Sequence, residues 1–310
     1  MTVATAPAAA SATPHLPDPK HVERLLHLSR KNNYDAYSRF AWPAPDAIAR
    51  DVLWCDEDLL TTWGTELHER LPRETLVALS HWECVNFFSL NVHGIKDALS
   101  FVMQAIYQDR YAPWSEYLHF FIAEENAHMW FFAKFCLDYT GTIYPTPAIP
   151  AGKIEDPLER DLYMFASTLV FEEFVDFYNH KVSRNDAVPA ILKEINHVHH
   201  VDESRHISFG RGVVAQLHAE ILARDASGEA KARVSRTVQK IFLHFIGQMY
   251  NPRAYDDAGV TRVTGLSAAA VRNRLRNDPA RVAYHQQWFK RTADWFVRQG
   301  LLANADFLDR

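Results

Sequence analysis

The sequence predicts an all-α fold, two long helix pairs with flanking helices, and three observations carry that expectation. Only 11 of the 310 residues are glycine, about half the average usage of roughly 7%, so few positions can supply the φ > 0 turns that many short strands require. Long apolar stretches carry helical spacing and end at Gly or Pro, with no strand alternation and no repeat of fixed period. At 48% hydrophobic and 13% aromatic, the chain can bury a sizeable core, which excludes a disordered or fibrous protein.

Residues 1–18, biased to Ala, Thr and Pro, read as a disordered tail. They lack the basic region and leucine-rich run of a secretory signal. Asp18-Pro19 then starts a helix, because Asp caps free N–H groups and Pro suits the first turn; Val22, Leu25, Leu26 and Leu28 continue it. A loop rich in Pro and aromatics (FAWPAP) leads to a helix marked by Leu59, Leu60, Trp63 and Leu67 that ends near Pro72. Residues Glu74–His93 are apolar on most faces and are expected to stop at Gly94, which can adopt the left-handed cap. Helices over Ile95–Asp109 and Trp114–Tyr139 follow, the latter ending at Gly141.

The stretch GTIYPTPAIPAGKIEDP, with four prolines, is a linker long enough to cross a bundle from end to end. Glu159–Val182 and Val188–His218 form the second long pair, and residues 230–249 place Val234, Val238, Ile241, Phe242 and Phe245 on one side of a further helix. The segment NPRAYDDAGVTRVTG reads as a polar loop. Ser267 then caps a basic helix, and Pro279 opens an amphipathic one carrying Val282, Trp288, Phe289 and Trp295. Residues 19–310 are read as one helical domain.

A formal charge of −5 with no basic run argues against nucleic acid or an anionic membrane as partner. No segment approaches the ~18 uninterrupted apolar residues of a membrane span. Cys55, Cys84 and Cys136 are odd in number and lack CxxC spacing, which points to buried thiols in a reducing compartment. A cytoplasmic location is expected.

The chemistry lies in acids and histidines inside apolar runs. Glu125/His128 (FFIAEENAHMWFF) and Glu203/His206 (HHVDESRHISFG) each place Glu and His three apart, one turn up the same helix face, where one metal ion reaches both. The same spacing occurs at Glu116/His119 and Glu194/His197. Each of these lies nine residues before its rival, about half a turn of rotation away, so only one of each pair can face the core. The faces that continue through Phe121 and Phe132, and through Leu192 and Gly210, select Glu125/His128 and Glu203/His206.

Bundles that bind two iron or manganese ions take a Glu from each of two helices and a Glu-x-x-His from each of the other two. Glu172 and Glu173 are the acids in the middle of one remaining apolar helix, and Glu83 is the acid inside Glu74–His93 beyond its first turn. An unpaired buried carboxylate is costly and requires a metal or a cation. Asn91, His81 and His93 compete with Glu83 for the position facing the metals. His199, four before Glu203, adds a third donor to the Glu203/His206 face. His197 and His200 point away from it, and Asp202 is placed to accept a hydrogen bond from a ligating imidazole.

The arrangement His199-x-x-x-Glu203-x-x-His206, with a Glu about thirty residues earlier, resembles the p-aminobenzoate N-oxygenase (AurF-like) family of ferritin-like di-iron proteins. The resemblance covers roughly residues 74–212. It implies a ferritin-like four-helix-bundle core and a seven-ligand site of Glu83, Glu125, His128, Glu172, His199, Glu203 and His206, with Glu172 fitting the spacing to Glu203 better than Glu173. It further implies two iron ions (Fe2+/Fe3+) per chain, O2 as cosubstrate, and N-oxygenation of a small-molecule amine to a hydroxylamine, nitroso or nitro product in secondary metabolism. Electrons must come from an external donor, a reductase or a small reductant, since the chain has neither a dinucleotide-binding Gly motif nor an Fe–S cysteine cluster. A homodimer is allowed. A carbon-directed di-iron hydroxylase or desaturase, and a non-enzymatic iron-binding bundle, are the competing readings. Arg205 and Arg211 lie near the expected site, where ion pairing or solvation is their first expectation and recognition of a substrate carboxylate the second.

Overall fold

The computed structural model describes residues 17–149 and 152–309. It is all-α, with no strand among the described residues. Four long helices form the core: α3 (Arg73–Ala105), α4 (Ser115–Thr140), α5 (Pro157–Val182) and α6 (Ala190–Arg224), preceded by α1 (Pro19–Asn32) and α2 (Glu66–Arg70). The flanking set comprises α7 (Glu229–Met249), α8 (Pro252–Asp257), α9 (Val260–Thr264), α10 (Ala268–Arg276) and α11 (Pro279–Arg298). None of the described helices is long and apolar enough to cross a membrane.

Contacts across the core set its topology. Phe88 meets Phe132, and the Cys136 thiol approaches the Val85 carbonyl, so α3 and α4 are antiparallel. Phe87 stacks on Tyr178 while the Phe171 ring covers Gly94, so α3 and α5 are antiparallel too. Helices α4 and α5 therefore run the same way, and the connection between them must traverse the bundle. The proline-rich linker does this, anchored where Tyr144 N–H donates to Ser89 Oγ (2.9 Å). One long crossover within a four-helix bundle is the ferritin-like arrangement.

Most predicted ends recur with their chemistry. Asp18 accepts from Lys20 N–H, Ser267 from Ala270 N–H and Asp278 from Ala280 N–H, and Gly141 (φ 68°) closes α4 in the left-handed conformation. Of the expected disordered tail, residues 1–16 lie outside the described residues; Pro17 is buried, its Cβ 2.7 Å from where a Cβ on Gly212 would stand. The three cysteines are free and buried.

Three expectations are corrected. The helix does not stop at Gly94: α3 runs through it for 33 residues. A Cβ there would come within 2.7 Å of the Phe171 ring, so the glycine is a notch for α5 rather than a cap. The segment around Leu59–Leu67 forms a short 3-10 turn (Glu57–Leu59) and the five-residue α2 instead of one helix. Thr65, whose hydroxyl accepts from His68 N–H, starts α2 late. The expected polar loop after residue 250 contains α8 and α9, the first capped by Asn251.

Gly94→Ala tests the notch. Alanine improves helix propensity by about 1 kcal/mol, but overpacking a core contact costs ~1–3 kcal/mol. The expected result is a lower denaturant midpoint that Phe171→Leu restores; a raised midpoint for Gly94→Ala alone would refute the packing account.

Candidate metal centre

Three of the four core helices, α4, α5 and α6, bring acids and histidines to one level of the bundle. Glu125, His128, Glu203 and His206 offer ligand atoms that all lie within 4.8 Å of one another, and so do Glu172, His199 and Glu203. Glu203 belongs to both groups, and all six residues are buried. The rejected pairs fall where helix rotation places them: Glu116, His119, Glu194 and His197 are exposed.

Six of the seven predicted ligands thus converge, and Glu83 does not join them. Its carboxylate accepts from Thr61 N–H (2.9 Å) and from the Thr61 hydroxyl, beside Tyr255. Burial lifts its pKa to about 7, against the opposing pull of the Thr61 hydrogen bonds and the Arg281 charge. Of the adjacent acids on α5, Glu173 turns to Arg211 Nε (2.8 Å) and the Thr292 hydroxyl (2.9 Å), leaving Glu172 toward α6.

Most donor atoms approach one another without bonding to one another, the exception being His206 Nδ1, which lies in hydrogen-bond contact with Glu203 Oε2 at 3.1 Å. His199 Nε2 lies 2.7 Å from Glu203 Oε1, yet neither atom has a hydrogen bond; both oxygens of Glu125, both of Glu172 and Nδ1 of His128 are likewise buried without one. Buried polar atoms are rarely left this way. Carboxylates and imidazoles aimed at a common point fit divalent iron or manganese ions. The electrostatics agree: burial, then the charges of Glu203 and Glu125, push the Glu172 carboxyl well above its ordinary range.

The back of each imidazole is held. His128 presents Nδ1 to the cluster while its Nε2 faces Asp202 Oδ2 (3.1 Å), which also accepts from the Tyr34 hydroxyl (3.1 Å). His206 presents Nδ1, and its Nε2 faces Glu124 Oε2 (2.8 Å). Arg205 joins the two carboxylates, donating to Glu124 Oε1 and Asp202 Oδ1, both at 2.7 Å. Burial would raise the Asp202 carboxyl, but its hydrogen bonds with His128 and Arg205 and their charges hold it at about 2. His199 Nδ1 lies 2.6 Å from the Asn179 amide. Turned so that its oxygen accepts, that amide fixes the tautomer with Nε2 free.

Asp202 was legible as a partner of a ligating histidine; Glu124 and Asn179 were not. The doubled Glu124-Glu125 in an apolar run was the available signal for the first, and nothing in the sequence marks the second. Arg205 and Arg211 are both consumed by acids, Glu124 and Asp202 for one and Glu173 for the other. His200 turns to Asp176 (2.5 Å), off the cluster.

A narrow apolar cavity ends at the cluster. Phe101, Leu118, Phe121, Phe165, Leu169 and Phe209 wall it, Glu172 and His206 line it too, and its volume of about 20 Å³ is that of a single water. Gly210 faces it too; a Cβ there would meet Leu169 at 3.6 Å. Phe121 and Phe132 pack edge-on against His206 and His199, with centroids 4.6 and 4.8 Å apart.

The family model described as "P-aminobenzoate N-oxygenase AurF" matches residues 18–300. No curated protein matches the chain. Among solved structures, a variant R2-like ligand-binding oxidase with an aerobically reconstituted Mn/Fe cofactor superposes with a TM-score of 0.51 at 15% identity, covering 91% of this chain and 93% of that one. The R2-like ligand-binding oxidase with an aerobically reconstituted metal cofactor after photoconversion gives 0.51 at 16% identity, covering 92% and 94%. At these identities the likeness is one of fold.

Two predictions follow from the geometry. Burial would lower the His128 and His206 imidazoles, but Tyr34 and Asp202 around the first, and Glu203 and Glu125 around the second, raise both; Glu172 is raised as well. The raised values favour the protonated form of each group, and a metal bound there displaces those protons. Metal affinity should rise with pH, with proton release visible as a buffer-dependent heat in calorimetry. Asp202→Asn should weaken metal binding ~10–100-fold with the helical CD spectrum unchanged; wild-type affinity in that variant would remove Asp202 from the role assigned to it.

Proposed function

The chain belongs to the P-aminobenzoate N-oxygenase AurF family, and from that premise we propose that it is a di-iron oxygenase that places one atom of O2 on the nitrogen of a small amine. The supporting observation is the pair of buried ligand groups sharing Glu203, with a small apolar void against Glu172 and His206. Glu125, His128, Glu172, His199, Glu203 and His206 would hold two iron ions, whose chemistry when bound is the reductive activation of O2. The overall change is amine plus O2 plus two electrons and two protons giving hydroxylamine plus water, the electrons coming from a reductase or a small reductant. Further turns give nitroso and nitro products.

The chain's own residues orient and dry the site. Asp202, Glu124 and Asn179 fix the three imidazoles, so the donor atoms are preorganised. Tyr34, whose hydroxyl donates to Asp202, keeps a proton two hydrogen bonds from a ligating ring. Phe121 and Phe132 exclude water from the faces of His206 and His199. The cavity carries no Lys or Arg, and Arg205 and Arg211 are paired with acids. With both arginines near the centre paired to acids, the substrate expected is an uncharged, apolar amine, an arylamine without a carboxylate among the simplest.

Anaerobic loading with Fe2+, followed by O2 and a panel of arylamines and alkyl substrates under isotopically labelled O2, tests this. Saturation at two irons per chain with label in a hydroxylamine is the expected result. Label only in C–H oxygenation products supports the carbon-directed reading. Iron uptake far above that ratio without turnover supports a storage bundle. In His199→Ala, the helical CD spectrum should persist while O2-dependent turnover falls at least tenfold.

A further inference from the structure

The two ligand groups are unequal. One has four residues and the other three, Glu172, His199 and Glu203, and α3 contributes to neither although it is one of the four core helices. We infer that the side-chain oxygen of Asn91 is the α3 ligand of the second metal ion. This rests on the dimetal reading above and adds to it a neutral amide donor where a fourth carboxylate is expected.

Each rival on α3 is committed elsewhere. His81 Nε2 faces the Val52 carbonyl (2.9 Å) and His93 Nε2 the Tyr144 carbonyl (3.0 Å), while Glu83 is held by Thr61. Asn91 is fully buried, and its Nδ2 donates to the Phe87 carbonyl one turn back (2.9 Å). That bond fixes which end of the amide is oxygen. The oxygen has no partner, a state that costs stability in a dry core unless a cation or donor meets it.

Helix register places this oxygen at the centre. Phe87 stacks on α5 at Tyr178, and Phe88 meets α4 at Phe132, whose ring touches His199. Asn91 is four residues beyond one and three beyond the other, so at about 100° per residue it bisects the α4-facing and α5-facing directions. In height it lies between Phe87, opposite Tyr178, and Gly94, opposite Phe171, which is the stretch of α5 that carries Glu172. Glu83 is eight residues away, about 12 Å along the axis and about 80° around it. No rotamer spans that offset.

The consequence is electrostatic. Two divalent ions carry +4, and Glu125, Glu172 and Glu203 supply −3, so the reduced centre keeps one positive charge that a fourth carboxylate would cancel. An added carboxylate at residue 91 should therefore bind metal more tightly than the natural amide does.

Mn2+ binding to the full chain, with free ion counted by its EPR signal, tests the assignment without turnover. Wild type should bind two Mn2+. Asn91→Ala should lose at least tenfold in affinity for the second ion and none for the first, Asn91→Asp should bind the second ion at least tenfold more tightly, and Glu83→Gln should match wild type. Wild-type second-ion affinity in both Asn91 variants would overturn the assignment while leaving the dimetal reading intact, and so would a Glu83→Gln variant that loses the second ion. If Asn91→Ala fails to fold by CD, Asn91→Asp decides alone, with unchanged affinity counting against the assignment. Fewer than two Mn2+ on wild type would overturn the dimetal reading and this inference together.

Discussion

Three carboxylates, Glu125, Glu172 and Glu203, face one another in the dry middle of a helical bundle, and the rest of the structure is arranged around that repulsion. Burying one unpaired carboxylate is costly, and burying three within reach of each other is sustainable only with cations among them or protons on them. Neutral imidazoles can share the metal load without adding to the repulsion. The donor set therefore mixes three acids with three histidines, and the Asn91 amide extends it without a further charge.

Holding such a cluster requires helices that cannot shift. The crossover linker lets α4 and α5 run parallel, so that Glu-x-x-His motifs from α4 and α6 meet at one level instead of at opposite ends. Gly94 lets α5 approach α3 closely by receiving the Phe171 ring, and Gly212 receives Pro17 ahead of α1. Aromatic rings then fill the layers above and below the donors, which keeps water from competing for the metal positions.

The layer behind the ligands ties the site to the periphery. Arg205 spans Glu124 and Asp202, and its Nε donates to Ser29 of α1, while Tyr34 beyond the end of α1 reaches Asp202. The flanking helix is thus joined through hydrogen bonds to the orientation of His128 and His206. On the far side, α11 holds Glu173 through Thr292 and caps the Phe174 carbonyl through Trp288, which keeps the two adjacent acids of α5 pointing in different directions.

Local rules determined much of this protein. Helix periodicity placed His128, His199, Glu203 and His206 on inward faces and sent Glu116, His119, Glu194 and His197 to solvent, because rotation per residue depends on nothing distant. Caps at Asp18, Gly141, Ser267 and Asp278 are equally local, and the proline-rich segment announced the crossover. Only the tertiary structure could decide between Glu172 and Glu173, since Arg211 and Thr292 come from other helices, or separate Glu83 from Asn91, since Thr61 lies in a loop more than twenty residues before Glu83. A buried acid announces a need for a partner, but whether that partner is a metal, a guanidinium or a threonine depends on which segments meet there, and spacing along one helix carries no record of that.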